Sequence, residues 1–331
     1  MTDVVALAAE LLTIDSSTGA EAAAVDFVSK WLVARGWNVT LQEVTRGRAN
    51  IWASRSGGGV TLSTHLDTVP PFIGPRLDGD RLLGRGACDA KGIAAAMLVA
   101  ADRLANSGEQ RVDLLFVVGE EKGSDGARAA NRLAATSRYL VNGEPTESKL
   151  ASGAKGSLRV TVRTRGRAAH SAYAHLGESA IKPMLALLPE LESLQLPSDD
   201  VLGATTFNIG TIRGGTEANI VPAQAEAEIM FRLVGDDAPV RAMVKRWAKG
   251  RAEYEFGSYI PAQHFHTIDG FEVAPVAYTT DIPLLGRWGT PLLFGPGSIH
   301  VAHTPEEFID VNELRAAVGA YERIVRSLLT T

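Results

Sequence analysis

The sequence has few of the features that mark secreted, membrane or nucleic-acid-binding proteins. Its single cysteine, Cys88, excludes an intramolecular disulfide and favours a reducing compartment. The 33 basic residues do not outnumber the 38 acidic ones, so the net charge of −5 offers no positive field to attract nucleic acid. The longest strongly apolar window, residues 92–101, is about half the length that a membrane-spanning helix needs. The first residues lack the basic and apolar segments of a signal peptide, and we therefore expect a cytoplasmic protein without nucleic-acid or membrane partners.

Length and periodicity predict two domains. A chain of 331 residues is longer than one hydrophobic core usually serves, and 45% hydrophobic residues are sufficient for two cores. Helix-like and strand-like segments alternate up to residue 156 and again after residue 265, which predicts an α/β domain with a mainly parallel sheet. Residues 157–264 show alternating strands with two helices, which is typical of a smaller α+β module. We predict that this module is inserted into a domain made of residues 1–156 and 265–331.

Side chains that bind divalent metals follow short apolar runs in this sequence. In open α/β sheets, functional groups collect in the crevice beyond the carboxyl ends of the strands, so residues far apart in sequence converge there. The side chains that follow such runs are His65, Asp67, Asp89, Glu120, Glu121, Glu144 and His303. The sequence therefore predicts one cluster of imidazoles and carboxylates at this edge of the sheet.

The chemistry of these side chains fits a two-metal hydrolase. Two divalent cations that share a bridging carboxylate can lower the pKa of a water and polarise a substrate carbonyl. The predicted ligands are two imidazoles and three carboxylates, a mixture that suits two zinc ions and would also admit cobalt or manganese: His65, Asp89, Glu121, Glu144 and His303. We predict that Asp89 is the bridge, because it stands at the start of a predicted helix whose dipole favours a carboxylate. Asp67, two residues beyond His65, is predicted to orient that imidazole.

Two adjacent glutamates, Glu120 and Glu121, are expected to have different roles. Neighbouring side chains of an extended segment point to opposite sides, so one can bind metal while the other faces the substrate. We assign Glu121 to the metal and Glu120 to general-base catalysis, in which it takes a proton from the attacking water and delivers it to the departing nitrogen.

Seven segments, spread from the first predicted helix to the last, resemble one family. The chain is similar to the dinuclear-zinc amidohydrolases and peptidases that include acetylornithine deacetylase, succinyl-diaminopimelate desuccinylase, aminoacylases and related carboxypeptidases. The segments that carry the resemblance are HLDT, GRGACDAKG, VVGEEKGSDGA, NGEPT, AAHSAY, EANIVP and GPGSIHVAH. It implies a metallopeptidase-like catalytic domain with an inserted lid, and a homodimer formed through that lid. It also implies that one metal is held by His65 and Glu144, the other by Glu121 and His303, and both by Asp89.

The same resemblance implies three functional residues in the lid. His170, in AAHSAY, matches a histidine that steadies the oxyanion, and Asn219, in EANIVP, matches an amide in the substrate cleft. Arg232 resembles an arginine that holds the substrate carboxylate. Residues around Phe72 and Asp281 are expected to line the specificity pocket, together with Ser298.

Other features of the sequence have ordinary explanations. His300 precedes His303 by three residues, but the GPGSI…AH pattern of the family places the ligand at His303. Cys88 lacks the base and oxyanion site that a nucleophile needs, and we expect a small buried residue. GRGACD lacks the third glycine of a dinucleotide fingerprint, which argues against NAD binding. The arginines of one lid strand are expected to form a solvated edge; the alternative is a surface for an acidic carrier protein that bears the substrate: Arg159, Arg163, Arg165 and Arg167.

These features together predict a zinc-dependent hydrolase of the amide bond of an N-acyl amino acid. The resemblance makes acetylornithine deacetylase-like chemistry the leading expectation, with a place in arginine or lysine biosynthesis. Succinyl-diaminopimelate desuccinylation, hydrolysis of carrier-linked lysine or ornithine, and dipeptidase or carboxypeptidase activity are alternatives within the family. A metal-binding protein without turnover is the alternative from another class, and the presence of Glu120 argues against it.

Overall fold

The structure is a computed structural model that describes residues 2–133 and 135–330. The chain divides into two compact units. The first unit comprises Met1–Ser152, Phe265–Ala274 and Thr280–Thr331. The second unit comprises Gly153–His264 and Pro275–Thr279. The predicted ranges, residues 1–156 with 265–331 and residues 157–264, do not include this return of the chain to the second unit at residues 275–279.

The helices and strands are numbered in chain order. The α-helices are α1 (Val4–Leu12), α2 (Ala22–Val33), α3 (Lys91–Asn106), α4 (Asp125–Ala130), α5 (Ile181–Leu187), α6 (Ala238–Ala248) and α7 (Val311–Thr330). The strands are β1 (Asn38–Thr45), β2 (Arg48–Ser54), β3 (Val60–His65), β4 (Arg76–Asp78), β5 (Arg81–Leu83), β6 (Val112–Val117), β7 (Tyr139–Asn142), β8 (Leu150–Ala154), β9 (Gly156–Arg165), β10 (Ser198–Asp199), β11 (Gly203–Ala204), β12 (Thr206–Gly214), β13 (Gln224–Leu233), β14 (Glu253–Ile260), β15 (Gln263–His264), β16 (Val273–Val276), β17 (Thr290–Leu293) and β18 (Phe308–Asp310). Short 3₁₀ helices cover Ser171–Leu176, Leu188–Ser193 and Ile282–Leu284.

A six-stranded sheet forms the centre of the first unit, in the order β1-β2-β6-β3-β7-β17. The last four strands in this order are parallel, whereas β1 and β2 pair antiparallel at one side. Every residue of β3 and β6 is buried, as expected of central parallel strands that are covered on both faces. The predicted α/β fold class with a mainly parallel sheet is therefore confirmed.

Two long helices complete the core of the first unit. Helix α3 is buried along most of its length, because its alanines let α1 and α7 pack closely against it. Gly92 is required there, since a Cβ atom at this position would collide with the carbonyl oxygen of Ala87. Helix α7 buries a stripe with the three- and four-residue spacing of an amphipathic helix, which includes Leu314, Val318 and Tyr321. No helix among the described residues is both long and apolar enough to cross a membrane.

The second unit contains an antiparallel sheet in the order β12-β13-β9-β14. Side chains of β13 alternate between buried and partly exposed positions, so that one face of the sheet forms a core with α5 and α6. The packed face includes Val160, Ile229 and Phe231. The predicted α+β character of this segment follows from that two-residue alternation.

Asp89 does not follow a strand of the central sheet, contrary to the prediction, whereas the run before His303 does begin with the central strand β17, from which a loop leads to His303. The apolar run before Asp89 contains β5, which belongs to a separate antiparallel sheet in the order β18-β5-β4. Helix α3 begins at Lys91, two residues after Asp89, and the Asp89 carboxylate is held by its contacts with His65 and His303. A short apolar run shows that a strand is present, but not which sheet the strand joins.

Candidate metal centre

Three parallel neighbours, β6, β3 and β7, bring four of the predicted site residues to one edge of the central sheet. His65 is the last residue of β3, and Glu144 follows shortly after the end of β7. Glu120 and Glu121 follow the end of β6. Because parallel strands end at the same edge, their carboxyl ends place these side chains together.

The carboxylate of Asp89 lies between two imidazoles. His65 Nε2 is 2.9 Å from Asp89 Oδ1, and His303 Nε2 is 3.3 Å from Asp89 Oδ2. His303 Nε2 also lies 3.0 Å from Glu121 Oε1. His65, Asp89 and Glu121 each offer a ligand atom within 4.8 Å of the others. A carboxylate that presents one oxygen to each of two imidazoles has the arrangement of a ligand shared by two cations.

Glu144 supplies a test of whether a cation fits this site. The residue is buried, and its Oε1 has no hydrogen-bond partner among the described residues. Burial, together with the negative charges of Asp89 and Glu120, raises the pKa of Glu144 well above its usual range. A buried carboxylate oxygen without a partner is costly, and a cation would satisfy it. We refer to His65, Asp89, Glu121, Glu144 and His303 as the metal centre.

The imidazoles and carboxylates of the metal centre shift one another's pKa values. Burial opposes ionisation of Asp89, but hydrogen bonds with His303 and His65 outweigh burial and hold the pKa of Asp89 well below its usual range. Contacts with Asp89 and Glu121 raise the pKa of His303 to about 10. Without a metal, protonated imidazoles therefore balance the converging carboxylates, and a metal would take over that role.

Asp67 fixes the turn that carries the two glutamates. Its Oδ1 accepts a hydrogen bond from the Glu120 amide at 3.0 Å, and its Oδ2 accepts one from the Glu121 amide at 3.2 Å. Asp67 Oδ2 also accepts from the Thr18 hydroxyl at 2.8 Å. His65 Nδ1 lies closer to the Asp67 carbonyl oxygen, 2.9 Å, than to its carboxylate, 3.6 Å. Asp67 thus contacts the imidazole mainly through its backbone, while its carboxylate orients the Glu120–Glu121 turn.

Glu120 lies in a desolvated and negatively charged environment. Burial of its carboxyl, with the nearby charge of Asp281 as the next cause, raises the pKa of Glu120 well above its usual range. Asp281 is itself buried, its Oδ2 has no hydrogen-bond partner among residues 2–133 and 135–330, and burial raises its pKa to about 6. The sequence singled out Asp281 only as a pocket residue. The sequence around it, TTDIPLL, gives no indication that the Asp281 carboxylate is buried near Glu120.

Comparisons with known proteins identify the family. The sequence pattern of peptidase family M20/M25/M40 matches residues 61–327. A Peptidase M20 domain-containing protein of Schizosaccharomyces pombe is 38% identical over 336 residues, which cover 98% of this chain and 84% of that protein. The chain belongs to peptidase family M20/M25/M40.

Other proteins extend the comparison for this M20 chain. A probable carboxypeptidase of Aspergillus flavus is 37% identical over 370 residues, which cover 97% of this chain and 86% of that protein. The crystal structure of a tripeptidase from Staphylococcus aureus superposes with a TM-score of 0.83 at 20% identity, covering 99% of this chain and 98% of that one. At this identity the structural likeness concerns the fold alone. The M20 chain is therefore a hydrolase of the metallopeptidase type, and the broader part of the predicted resemblance is confirmed.

The three residues predicted for the lid of the M20 chain all lie in the second unit. His170 Nδ1 accepts a hydrogen bond from the Ala172 amide at 3.1 Å, at the start of a 3₁₀ helix. The Ser171 amide donates to the Asn219 carbonyl at 2.8 Å, so His170 and Asn219 lie on adjoining segments. Arg232 is partly buried in β13 without an acidic partner among the described residues, and burial lowers its pKa.

Strand β9 pairs with β13 on one side and with β14 on the other, so the expectation that its arginines form a sheet edge is wrong. These arginines are partly neutralised within the second unit. Arg163 forms ion pairs with Glu226 at 2.6 Å and Glu255 at 2.8 Å, and Arg165 forms one with Glu253 at 2.7 Å. Glutamates of the neighbouring strands thus neutralise the charges of two of the arginines on this strand.

The remaining sequence expectations concern surface and pocket residues of the first unit. His300 is exposed, and its amide donates to the Ser298 hydroxyl at 3.4 Å. Phe72 is 40% exposed, and the Ser298 hydroxyl donates to Glu147 Oε1 at 3.0 Å. Cys88 is buried, as expected for a small packed residue.

Proposed function

We propose that this M20 protein is a two-metal carboxypeptidase that removes the C-terminal residue of short peptides. The observation that carries the proposal is the Asp89 carboxylate, which presents a different oxygen to each of two imidazoles. The buried Glu144, whose pKa the charge of Asp89 helps to raise, adds a carboxylate oxygen that has no hydrogen-bond partner in the described part of the chain. The choice of carboxypeptidase is supported by the name of the Aspergillus flavus relative, which matches almost the full length of the chain.

Hydrolysis of N-acyl amino acids, such as acetylornithine, is the second candidate. Both reactions cleave an amide whose nitrogen belongs to a residue with a free carboxylate, and they differ in what stands on the acyl side. Arg232, which is partly buried and lacks an acidic partner in the described part of the chain, suits the carboxylate in either case. The deacetylase predicted from the sequence would thus catalyse the same amide hydrolysis on a substrate whose acyl group is smaller than a peptide.

The residues of the metal centre would hold two divalent cations. We assign His65 and Glu144 to one cation, Glu121 and His303 to the other, and Asp89 to both. Imidazole and carboxylate ligands in this proportion favour zinc, with cobalt or manganese as substitutes. When bound, such a pair supplies Lewis-acid polarisation of the scissile carbonyl.

Glu120 would move the proton that hydrolysis requires. Its carboxylate takes a proton from the attacking water and returns it to the departing amide nitrogen. The negative environment that raises the pKa of Glu120 favours its protonated form after the first transfer. Asp67 contributes by holding the backbone amides of Glu120 and Glu121.

The second unit would supply substrate-binding groups. We propose that His170 donates a hydrogen bond to the developing oxyanion, that Asn219 binds the substrate amide, and that Arg232 binds the terminal carboxylate. Arg232→Ala should then raise KM for a free-acid substrate while leaving the weak hydrolysis of its C-terminal amide unchanged.

A substrate panel tests the proposal directly. The purified protein, loaded with zinc, is assayed with dipeptides, N-blocked dipeptides, their C-terminal amides, acetylornithine and succinyl-diaminopimelate. A carboxypeptidase cleaves the N-blocked free acids and spares their amides, whereas a dipeptidase requires the free amino group. Turnover of acetylornithine alone would select the deacetylase, and no turnover of any amide by the metal-loaded protein would contradict hydrolysis altogether.

A further inference from the structure

Two of the five metal-centre residues lack the support that the central sheet gives the others. His65, Glu121 and Glu144 follow β3, β6 and β7, whose positions the sheet fixes. Asp89 lies before α3, and His303 lies in a turn with a positive φ of 63°. Contacts other than strand pairing must therefore hold His303 Nε2 at 3.3 Å from Asp89 Oδ2.

The carboxylate of Glu307 binds the backbone that carries Asp89. Its Oε1 accepts hydrogen bonds from the amides of Gly86 at 3.0 Å, Cys88 at 3.2 Å and Asp89 at 3.1 Å. Glu307 is buried, with 1% of its surface exposed, and it lies four residues after His303. A side chain from the His303 segment therefore fixes the backbone conformation of the Asp89 segment.

The guanidinium of Arg85 binds the backbone that carries His303. Arg85 Nη1 donates to the Thr304 carbonyl at 3.1 Å, and Nη2 donates to the His303 carbonyl at 3.4 Å. Arg85 precedes Asp89 by four residues and is 2% exposed. A side chain from the Asp89 segment therefore fixes the backbone conformation of the His303 segment.

The two side chains also bind each other. Arg85 Nη1 lies 2.6 Å from Glu307 Oε2, so both charges are paired and their remaining hydrogen-bonding atoms are occupied by backbone. A buried ion pair is tolerated when its geometry is good and further hydrogen bonds satisfy it. Such a pair adds conformational specificity more than net stability in some proteins, which is what a metal centre assembled from two loops requires.

We propose that Arg85 and Glu307 are positioning residues. They hold the Asp89 and His303 side chains at the distance and orientation that binding of one cation by both residues requires. Each segment contributes one metal ligand and one charged side chain that fixes the opposite segment. The inference rests on the proposed two-metal function, because it assigns the pair to the cation between Asp89, Glu121 and His303. The cation held by His65 and Glu144 would depend on it less, because the pair positions only one of its ligands, Asp89, whereas it positions both Asp89 and His303 for the other cation.

Stepwise metal titration of Glu307→Gln tests this role. Chelated protein is titrated with Co²⁺, and the two binding steps are followed by the visible absorption of the bound ion. We expect the step of the cation held by Asp89, Glu121 and His303 to lose affinity by about 10- to 100-fold, as for other residues that orient metal ligands, and the other step to lose less. His303→Gln, which removes a ligand of that cation alone, identifies which step is which. Arg85→Lys keeps the positive charge but loses the planar guanidinium with its several donors, and it should weaken the same binding step.

Glu109→Gln is the matched control. Glu109 pairs with Arg111 at 2.7 Å on the surface of the same unit, so its loss should leave both binding steps unchanged. If Glu307→Gln does not fold, Glu307→Asp, which keeps the charge with a shorter reach, is titrated in its place with the same expected loss.

The outcomes separate this inference from the proposed function. Unchanged affinity at both steps in Glu307→Gln and Arg85→Lys would overturn the positioning role. An equal loss at both steps, with a proportional loss of folding stability, would also overturn it and indicate a general structural role. If the unaltered protein binds only one ion per chain, the two-metal function fails, while weaker binding of that ion in Glu307→Gln would still support the positioning role.

Discussion

Asp89 is the residue on which the metal centre depends most. Its two oxygens face different imidazoles, and the hydrogen bonds with His303 and His65 hold its pKa well below its usual range. The two imidazoles therefore keep this buried carboxylate ionised. Glu120 shows the opposite behaviour, because its neighbours are carboxylates and its pKa rises.

Glu120→Gln should separate catalysis from metal binding. The amide keeps the size of the side chain but cannot accept a proton from water, and we expect kcat to fall by about 10²- to 10⁴-fold, the usual contribution of general acid–base catalysis. Metal content, measured by atomic emission, should stay the same. Activity within a factor of about three of the unaltered protein would show that another group is the base.

The charge of His303 should make the metal-free protein dependent on pH. Its folded pKa, raised to about 10, exceeds its unfolded value of about 6.5, so its stabilising contribution is complete below about pH 6.5 and is lost as the pH rises through about 10. The free energy of unfolding by urea in the presence of a chelator should therefore fall across this window, and less steeply in His303→Gln. Equal slopes in the two proteins would contradict the pairing with Asp89 and Glu121.

At the scale of elements, buried side chains fix the loops that follow the parallel strands. Asn50, in β2, donates to the Gly126 carbonyl at 2.8 Å and accepts from the Val118 amide at 3.1 Å. It thereby joins β2 to the start of α4 and to the residue that follows β6. The Glu120–Glu121 turn lies between those two contacts, so its ends are held by Asn50 and its centre by Asp67.

Asn50→Ala should destabilise the first unit. The substitution leaves the buried Val118 amide without its partner and removes a second donor from the Gly126 carbonyl, and an unsatisfied buried group costs about 1–3 kcal/mol. Asn106→Ala is the control, because Asn106 contacts Asp102 on the surface and its loss should stay within about 0.5 kcal/mol. Urea unfolding monitored by circular dichroism measures both, and equal values for the two variants would contradict the role given to Asn50.

At the scale of the whole molecule, the sheet and the metal centre belong to one unit that is built from three separate chain segments. The segment that ends at Ser152 supplies His65, Asp89, Glu121 and Glu144, and the segment that begins at Thr280 supplies His303. A cation that binds ligands from both segments stabilises the folded state only, because the unfolded chain does not hold these ligands together.

Metal removal should lower both activity and stability. A ligand present at about a hundred times its dissociation constant stabilises the folded state by about 2.7 kcal/mol per site. We expect chelation to abolish peptide hydrolysis and to lower the urea midpoint of unfolding, and addition of zinc or cobalt to restore both. A midpoint that does not respond to metal would contradict a site shared by the two segments.

Local patterns predicted much of this molecule. The apolar runs indicated β3, β6 and β7, and the ligand types after them indicated metal chemistry at the ends of those strands. The two-residue alternation of 157–264 indicated the sheet that β9, β12, β13 and β14 form. These features are accessible because side-chain periodicity reports directly on which face of an element is buried.

The sequence by itself determined which residue types were available for metal chemistry and which strands would carry most of them. Only the tertiary structure decided that Asp89 and His303 meet outside the central sheet, that Asp281 is buried near Glu120, and that Arg85 and Glu307 join the two loops. These contacts connect segments that are distant in sequence and irregular in backbone. No local periodicity encodes them, because their geometry follows from how the packed core closes the chain between them.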